Sequence, residues 1–160
     1  MFLLKPATNI AAVEPKVISP TVHGIIDYCH AGFFFTLGVL SARSRNKAAA
    51  RAAFATSGFI LVQSLLTDYR FGVKPVLSFE THGKIDAVFA SSSWMLPLLF
   101  GFKDTVAGKI FEGNSLAEAS VVAMTDWNSQ RAHEEREAAQ DALLWGRLCS
   151  LFGSSRSAGY

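Results

Sequence analysis

The chain has 160 residues, a formal net charge of +2, 50% hydrophobic residues and 18% charged ones, whereas a soluble domain carries about 25% charged. That balance offers no basic stripe interleaved with aromatics, so nucleic acid is not an expected partner. Two cysteines far apart, Cys29 and Cys149, supply neither a disulfide framework nor a metal-binding CxxC pair.

Residues 1–20 read as an extended lead-in, because Pro6, Pro15 and Pro20 each remove a backbone donor and disfavour helix just before them. Met1 to Leu4 are apolar but precede Lys5 and Pro6, which is not the order of a secretory signal peptide. The first long apolar segment is Thr21 to Ala42, with 15 residues free of Asp, Glu, Lys and Arg between Asp27 and Arg43. Phe33, Phe34 and Phe35 are consecutive, so this helix is apolar all round, as a deeply buried or lipid-embedded helix is. The second is Ala48 to Tyr69, uncharged over the 16 residues from Ala52 to Thr67. The third is Thr81 to Phe102, uncharged over the 16 residues from Ala87 to Phe102, with Pro97 predicted to kink it. A spanning helix needs about 20 mostly apolar residues, so these cores reach spanning length only with the ionisable residues at their ends.

A fourth segment, Ser115 to Trp127, is weaker, since it contains Glu118 and has only seven uncharged residues before Asp126. Beyond Trp127 lies a polar stretch, Asn128 to Gln140, with Arg131–Glu135 and His133–Glu137 at i, i+4. Ala142, Trp145, Cys149 and Phe152 then share one helical face. Residues 128–152 therefore read as an amphipathic helix on a membrane surface or against a partner, and 153–160 as a flexible Ser/Gly-rich tail.

Ile18-Ser-Pro-Thr-Val-His-Gly-Ile-Ile-Asp27 and Leu77-Ser-Phe-Glu-Thr-His-Gly-Lys-Ile-Asp86 agree at five of ten positions, at an offset of 59. Leu66-Thr-Asp-Tyr69 and Met124-Thr-Asp-Trp127 match at an offset of 58. Two matches at nearly one offset indicate a duplicated helical hairpin, with repeats of about 18–69 and 77–127. The predicted fold is all-α: an integral membrane four-helix bundle over 21–127, plus the C-terminal amphipathic helix. In each repeat one motif opens the first helix and the other closes the second. His23, Asp27, Asp68, His82, Asp86 and Asp126 are therefore expected at one end of the bundle, with Tyr28, Tyr69 and Trp127 forming an aromatic belt at that level. The loop holding Arg43, Arg45, Lys47 and Arg51 carries no acid, which predicts a cytoplasmic loop and an outward-facing His/Asp end.

His-Gly-Ile-Ile-Asp-Tyr at 23–28, Leu-Thr-Asp-Tyr at 66–69, His-Gly-Lys-Ile-Asp at 82–86 and Ser-Ser-Trp-Met-Leu-Pro-Leu-Leu-Phe-Gly-Phe at 92–102 resemble the repeats of small four-helix bacterial membrane proteins close to the SPW-repeat group. The resemblance spans about residues 18–127 and implies a fold and a bacterial inner-membrane location, with no activity attached. The chain departs from the pattern at Ser92-Ser93 before Trp94, where Ser-Pro is usual, in its polar fourth segment, and in the helix after Trp127.

Ionisable residues in or at the edge of a bilayer point to function. His23 and His82 with the four aspartates are candidate ligands for a divalent metal, and His23 and His82 alone are candidate axial ligands of haem; proton handling is a third chemistry open to histidine. Ahead of these chemistries, the cluster reads as polar pairing that holds the hairpins together. His30 shares the His23 face one level deeper and reads as a core histidine; Gly24 and Gly83 read as close-approach positions, and His133 as solvated. No Gly-x-Ser-x-Gly or phosphate loop appears. The functional expectation is a non-enzymatic scaffold or accessory subunit bound to lipid and to other membrane subunits, with a haem- or metal-bearing redox protein as the alternative.

Overall fold

The computed structural model describes residues 16–153. Most of the lead-in, at 1–15, and the tail at 154–160 lie outside the described residues. All regular structure within them is helical: α1 Pro20–Arg43, α2 Lys47–Leu66, α3 Phe79–Ser92, α4 Leu96–Leu99, α5 Val106–Met124 and α6 Ser129–Gly153. At about 1.5 Å per residue, the 24 residues of α1 extend about 36 Å and the 20 of α2 about 30 Å.

The helix starts are written in the sequence. Ser19 caps α1 by accepting from the Val22 amide, ahead of Pro20 in the first turn, and Ser78 caps α3 by accepting from the Thr81 amide. These are the serines of the two matched segments. An N-cap of this kind contributes about 1 kcal/mol. The third predicted helix divides: α3 stops at Ser92, a 3-10 turn covers Ser93–Met95, and Pro97 sits in the first turn of α4, where its missing N–H leaves no bond unmade. The second helix ends at Leu66, three residues before the predicted Tyr69, because Thr67 leaves the helix to bridge Leu77. The fourth begins at Val106, capped by Thr105, well before the predicted Ser115. Lys109 and Glu112 hid this first part from a hydropathy reading, yet they pair on the surface at 3.0 Å.

α1 packs along α2, and α3 and α4 pack on α5 much less extensively. Far from the His/Asp motifs the core is apolar, with Phe34, Phe102 and Phe111 interlocked beside Ala49 and Ala53. α1 and α2 lack the apolar-inside, polar-outside sidedness of a water-soluble bundle. α2 buries Ala49, Ala53, Thr56, Ser57, Ile60, Gln63 and Ser64 and exposes Phe54, Phe59, Leu61 and Val62. α1 likewise exposes Val22, Ile25, Phe33, Phe35 and Leu40. α1 and α2 are each long and apolar enough to cross a membrane.

At the His/Asp end, two isolated parallel bridges, Ile18 with Thr125 and Thr67 with Leu77, tie the chain leaving each hairpin to the chain preceding the other's first helix. The first half of α6 lies across this end and touches α1, α3 and the segments that follow α2 and α5. Glu135 accepts from the Thr21 amide at 2.9 Å and its hydroxyl at 2.6 Å. Arg136 reaches Asp68 at 3.3 Å, Arg131 reaches Asp126 at 3.0 Å, and Ser129 accepts from the Glu80 amide at 3.0 Å. Ala132 packs, fully buried, on Tyr69 and Phe79. From Asp141 to Ser150 every residue of α6 is exposed.

Candidate metal centre

His23 and Asp27 face inward from the first two turns of α1, and His82 and Asp86 do the same from α3; the i, i+4 spacing stacks each pair on one face. The four side chains meet. His23 Nε2 lies 3.4 Å from Asp27 Oδ1 and 3.2 Å from Asp86 Oδ2, and His82 Nε2 lies 3.3 Å from Asp27 Oδ2 and 3.0 Å from Asp86 Oδ2. One ligand atom from each residue falls within 4.8 Å of every other, and both histidines are at most 2% exposed.

The tautomers follow from the threonines. Thr125 donates its single hydroxyl proton to the Val121 carbonyl at 2.7 Å, so at 3.0 Å it accepts from His23 Nδ1–H. Thr67 donates to the Gln63 carbonyl at 2.8 Å and accepts from His82 Nδ1–H at 2.7 Å. Both rings therefore carry a proton on Nδ1 and turn Nε2 toward the carboxylates. With neutral imidazoles, two lone pairs and two carboxylates confront one another with no donor between them. The quartet is balanced by two further protons or by one divalent cation. His23 Nε2 is within hydrogen-bonding geometry of Asp86 Oδ2 at 3.2 Å, whereas His82 Nε2 makes no hydrogen bond although the same oxygen lies 3.0 Å away. Cis ligands about 2.1 Å from an ion are about 3.0 Å apart, close to the observed spacings of 3.0–3.4 Å.

The carboxylates are held from behind. Gln63 Nε2 donates to Asp86 Oδ1 at 2.6 Å and the Tyr69 hydroxyl reaches Asp27 Oδ2 at 3.5 Å; Ser64, whose nearer acceptor is the Ile60 carbonyl at 2.8 Å, lies 3.2 Å from Asp27 Oδ2. Oriented partners of this kind fix ligand geometry around an ion. Tyr69, Phe79 and Trp127 cover the quartet on the α6 side, Trp127 against the His23 ring at a centroid distance of 4.6 Å. Gly24 lies under the Tyr69 ring and Gly83 under the Trp127 ring, each so close that a Cβ would collide with it. These glycines admit aromatic side chains from the segments after α2 and α5, where close approach between helices was expected.

Of the six residues predicted at this end, four converge and two do not. Asp68 turns to His133 and Arg136, and Asp126 to Arg131, so both aspartates anchor α6. His133 is solvated as expected, its side chain 48% exposed, and it also lies 2.9 Å from Asp68 and 3.2 Å from Glu137. Tyr69 is fully buried, which takes it out of any aromatic belt; it seals the quartet from inside. A haem between His23 and His82 does not fit, because Asp27 and Asp86 fill the space between the two Nε2 atoms. Sequence reading put weight on the aspartate of the Thr-Asp-aromatic motif, whereas the threonine and the aromatic ring reach the site. Gln63 and Ser64, inside an apolar segment, gave no signal beyond being polar there. Comparison with known proteins finds no matching family model, no matching curated protein and no matching solved structure.

Proposed function

We propose that this chain is a membrane-embedded bundle of two copies of one hairpin whose His23, Asp27, His82 and Asp86 bind one divalent transition-metal ion. The observation that carries the metal reading is the convergence of two Nδ1-protonated histidines and two carboxylates on one buried centre, with His82 Nε2 unpartnered. Mixed imidazole and carboxylate donors suit Zn²⁺, Mn²⁺, Fe²⁺ or Co²⁺. One such ion balances the two carboxylate charges. The ion would cross-link α1 to α3, and so one hairpin to the other.

The bilayer reading rests on the large apolar side chains that α1 and α2 expose. Phe33, Phe35, Leu40, Phe54, Phe59 and Val62 face outward, while the interior mixes small and polar residues with Phe34, Leu37 and Ile60, as it can where lipid replaces water as the solvent. Resemblance to the SPW-repeat group accords with it. In this reading the arginine-rich α1–α2 loop lies on the cytoplasmic side of a bacterial inner membrane, and the metal end faces outward. Elemental analysis of the full chain purified in mild detergent tests the proposal. One ion per chain, lost in His23→Ala and His82→Ala, is expected; a metal-free chain, or one that stays dispersed without detergent, overturns it.

A second reading, an accessory subunit docking through α6, is favoured by Leu143, Leu144, Trp145 and Leu148, which project exposed beyond the bundle. Truncation after Gln140 would then lose a larger complex while keeping the metal.

A further inference from the structure

A cavity of about 110 Å³ adjoins the quartet on the side away from Tyr69, Phe79 and Trp127. It is lined by all four proposed ligands and by three polar residues that the metal centre does not use: His30, Asn114 and Glu118. His30 Nε2 lies 2.9 Å from Asn114 Oδ1, and the Asn114 amide donates to Glu118 Oε2 at 3.4 Å. An amide oxygen only accepts, so His30 donates, and Asn114 passes the polarity of this chain to the carboxylate. Empty cavities are apolar, whereas a polar one larger than about 15 Å³ holds water. This cavity therefore has room for several waters beside a carboxylate. The other approach to the quartet is closed by the three aromatic rings and by α6 above them. Exposed Ala117, a residue too small to cover the opening, marks the mouth on α5.

Resting on the metal reading above, we infer that this cavity is the loading chamber of the centre, where Glu118 receives a hydrated divalent cation and hands it to Asp27 and Asp86. The step exchanges ligands and releases protons: waters on the ion are exchanged first for a Glu118 oxygen, then for the quartet's oxygens and nitrogens, and the two protons that balance the empty quartet pass to water in the chamber. His30 and Asn114 hold the Glu118 side chain toward the chamber. Glu118 acts on the rate of loading and leaves the final site unchanged, so it is not one of the resident ligands.

The test is stopped-flow mixing of Co²⁺ with the full chain in detergent, read by the visible absorption of the bound ion. Glu118→Gln should slow association about tenfold, the effect of taking about 1.4 kcal/mol from the stabilisation of the ion as it passes through the chamber. Dissociation should slow in step, leaving equilibrium affinity within about threefold, because an access group alters both directions alike. Glu118→Asp should recover most of the rate, and Ala117→Leu, which narrows the mouth without removing a charge, should slow loading by itself. Loading of Glu118→Gln at the unaltered rate overturns the inference, as does faster dissociation with lost affinity, which would make Glu118 a ligand. If the unmodified chain binds no Co²⁺, the metal reading itself fails, which is a different result from either.

Discussion

The two halves of the bundle share one device and differ in another. Read at the 58-residue offset of the Thr-Asp-aromatic match, Thr67 corresponds to Thr125, and each holds the Nδ1 of the histidine in the opposite half. At the same offset Gln63, which holds Asp86, and Ser64, which lies beside Asp27, correspond to Val121 and Val122, which donate nothing from their side chains. Thr56 and Ile60 correspond to Asn114 and Glu118. At the 59-residue offset His30 corresponds to Phe89. The first half thus braces the quartet, and a chamber with room for several waters lies beside it where the second half carries Asn114 and Glu118. What the halves hold in common makes the centre, and what they do not share opens it on one side only.

The largest effect should come from the shared part. His82→Ala leaves two buried carboxylates facing each other, and removing one partner of a buried ion pair costs about 3–5 kcal/mol. His23→Ala should cost a similar amount in an unfolding titration in detergent, and a clear inequality would break the equivalence of the halves. Thr67→Val and Thr125→Val free the two imidazoles to turn and should each weaken Zn²⁺ binding about 10–100-fold by competition with a chelator. A loss confined to one of them would show that a single histidine carries the affinity.

Gly24→Ala and Gly83→Ala sharpen the comparison further. Each adds a methyl group under an aromatic ring and should cost about 1–3 kcal/mol as overpacking. Gly24→Ala should cost more, because Tyr69 is fully buried and tied to Asp27, whereas Trp127 is only partly buried. Equal losses would contradict that difference.

The smallest effect concerns α6. Asp68, bonded to His133 at 2.9 Å and reinforced by Glu137, raises the His133 pKa above its ordinary value. A raised folded-state value stabilises the docked helix fully below the ordinary histidine pKa, and the contribution disappears as pH climbs through the raised value. Hydrogen exchange of the α6 amides should therefore quicken, beyond its intrinsic increase, as pH rises above the ordinary histidine value of about 6.5. Asp68→Asn should abolish that excess.

Much of this arrangement was legible in the sequence because it rests on periodicities. The i, i+4 spacing fixed His23 with Asp27 and His82 with Asp86 on single faces, and the near-constant offset predicted that the two faces meet. The fourth helix was visible only through that offset, since Lys109, Glu112 and Glu118 lower its hydropathy. Which member of Thr-Asp-aromatic turns inward was not legible, because the choice depends on α6. Arg131, His133 and Arg136 draw both aspartates outward, and nothing in the spacing ranks that attraction above a place in the quartet. The Asn114–Glu118 chamber was also out of reach, because it exists only where valines replace the bracing residues of the other half.

The central claim is that one ion sits among the four matched residues. X-ray absorption at the metal edge of the Zn²⁺-loaded chain in detergent tests it most directly. Two imidazole nitrogens and carboxylate oxygens at about 2.0–2.2 Å are predicted, with the imidazole scattering reduced in His82→Ala. A bound ion surrounded by oxygen alone, with no imidazole signal to lose, would contradict the account.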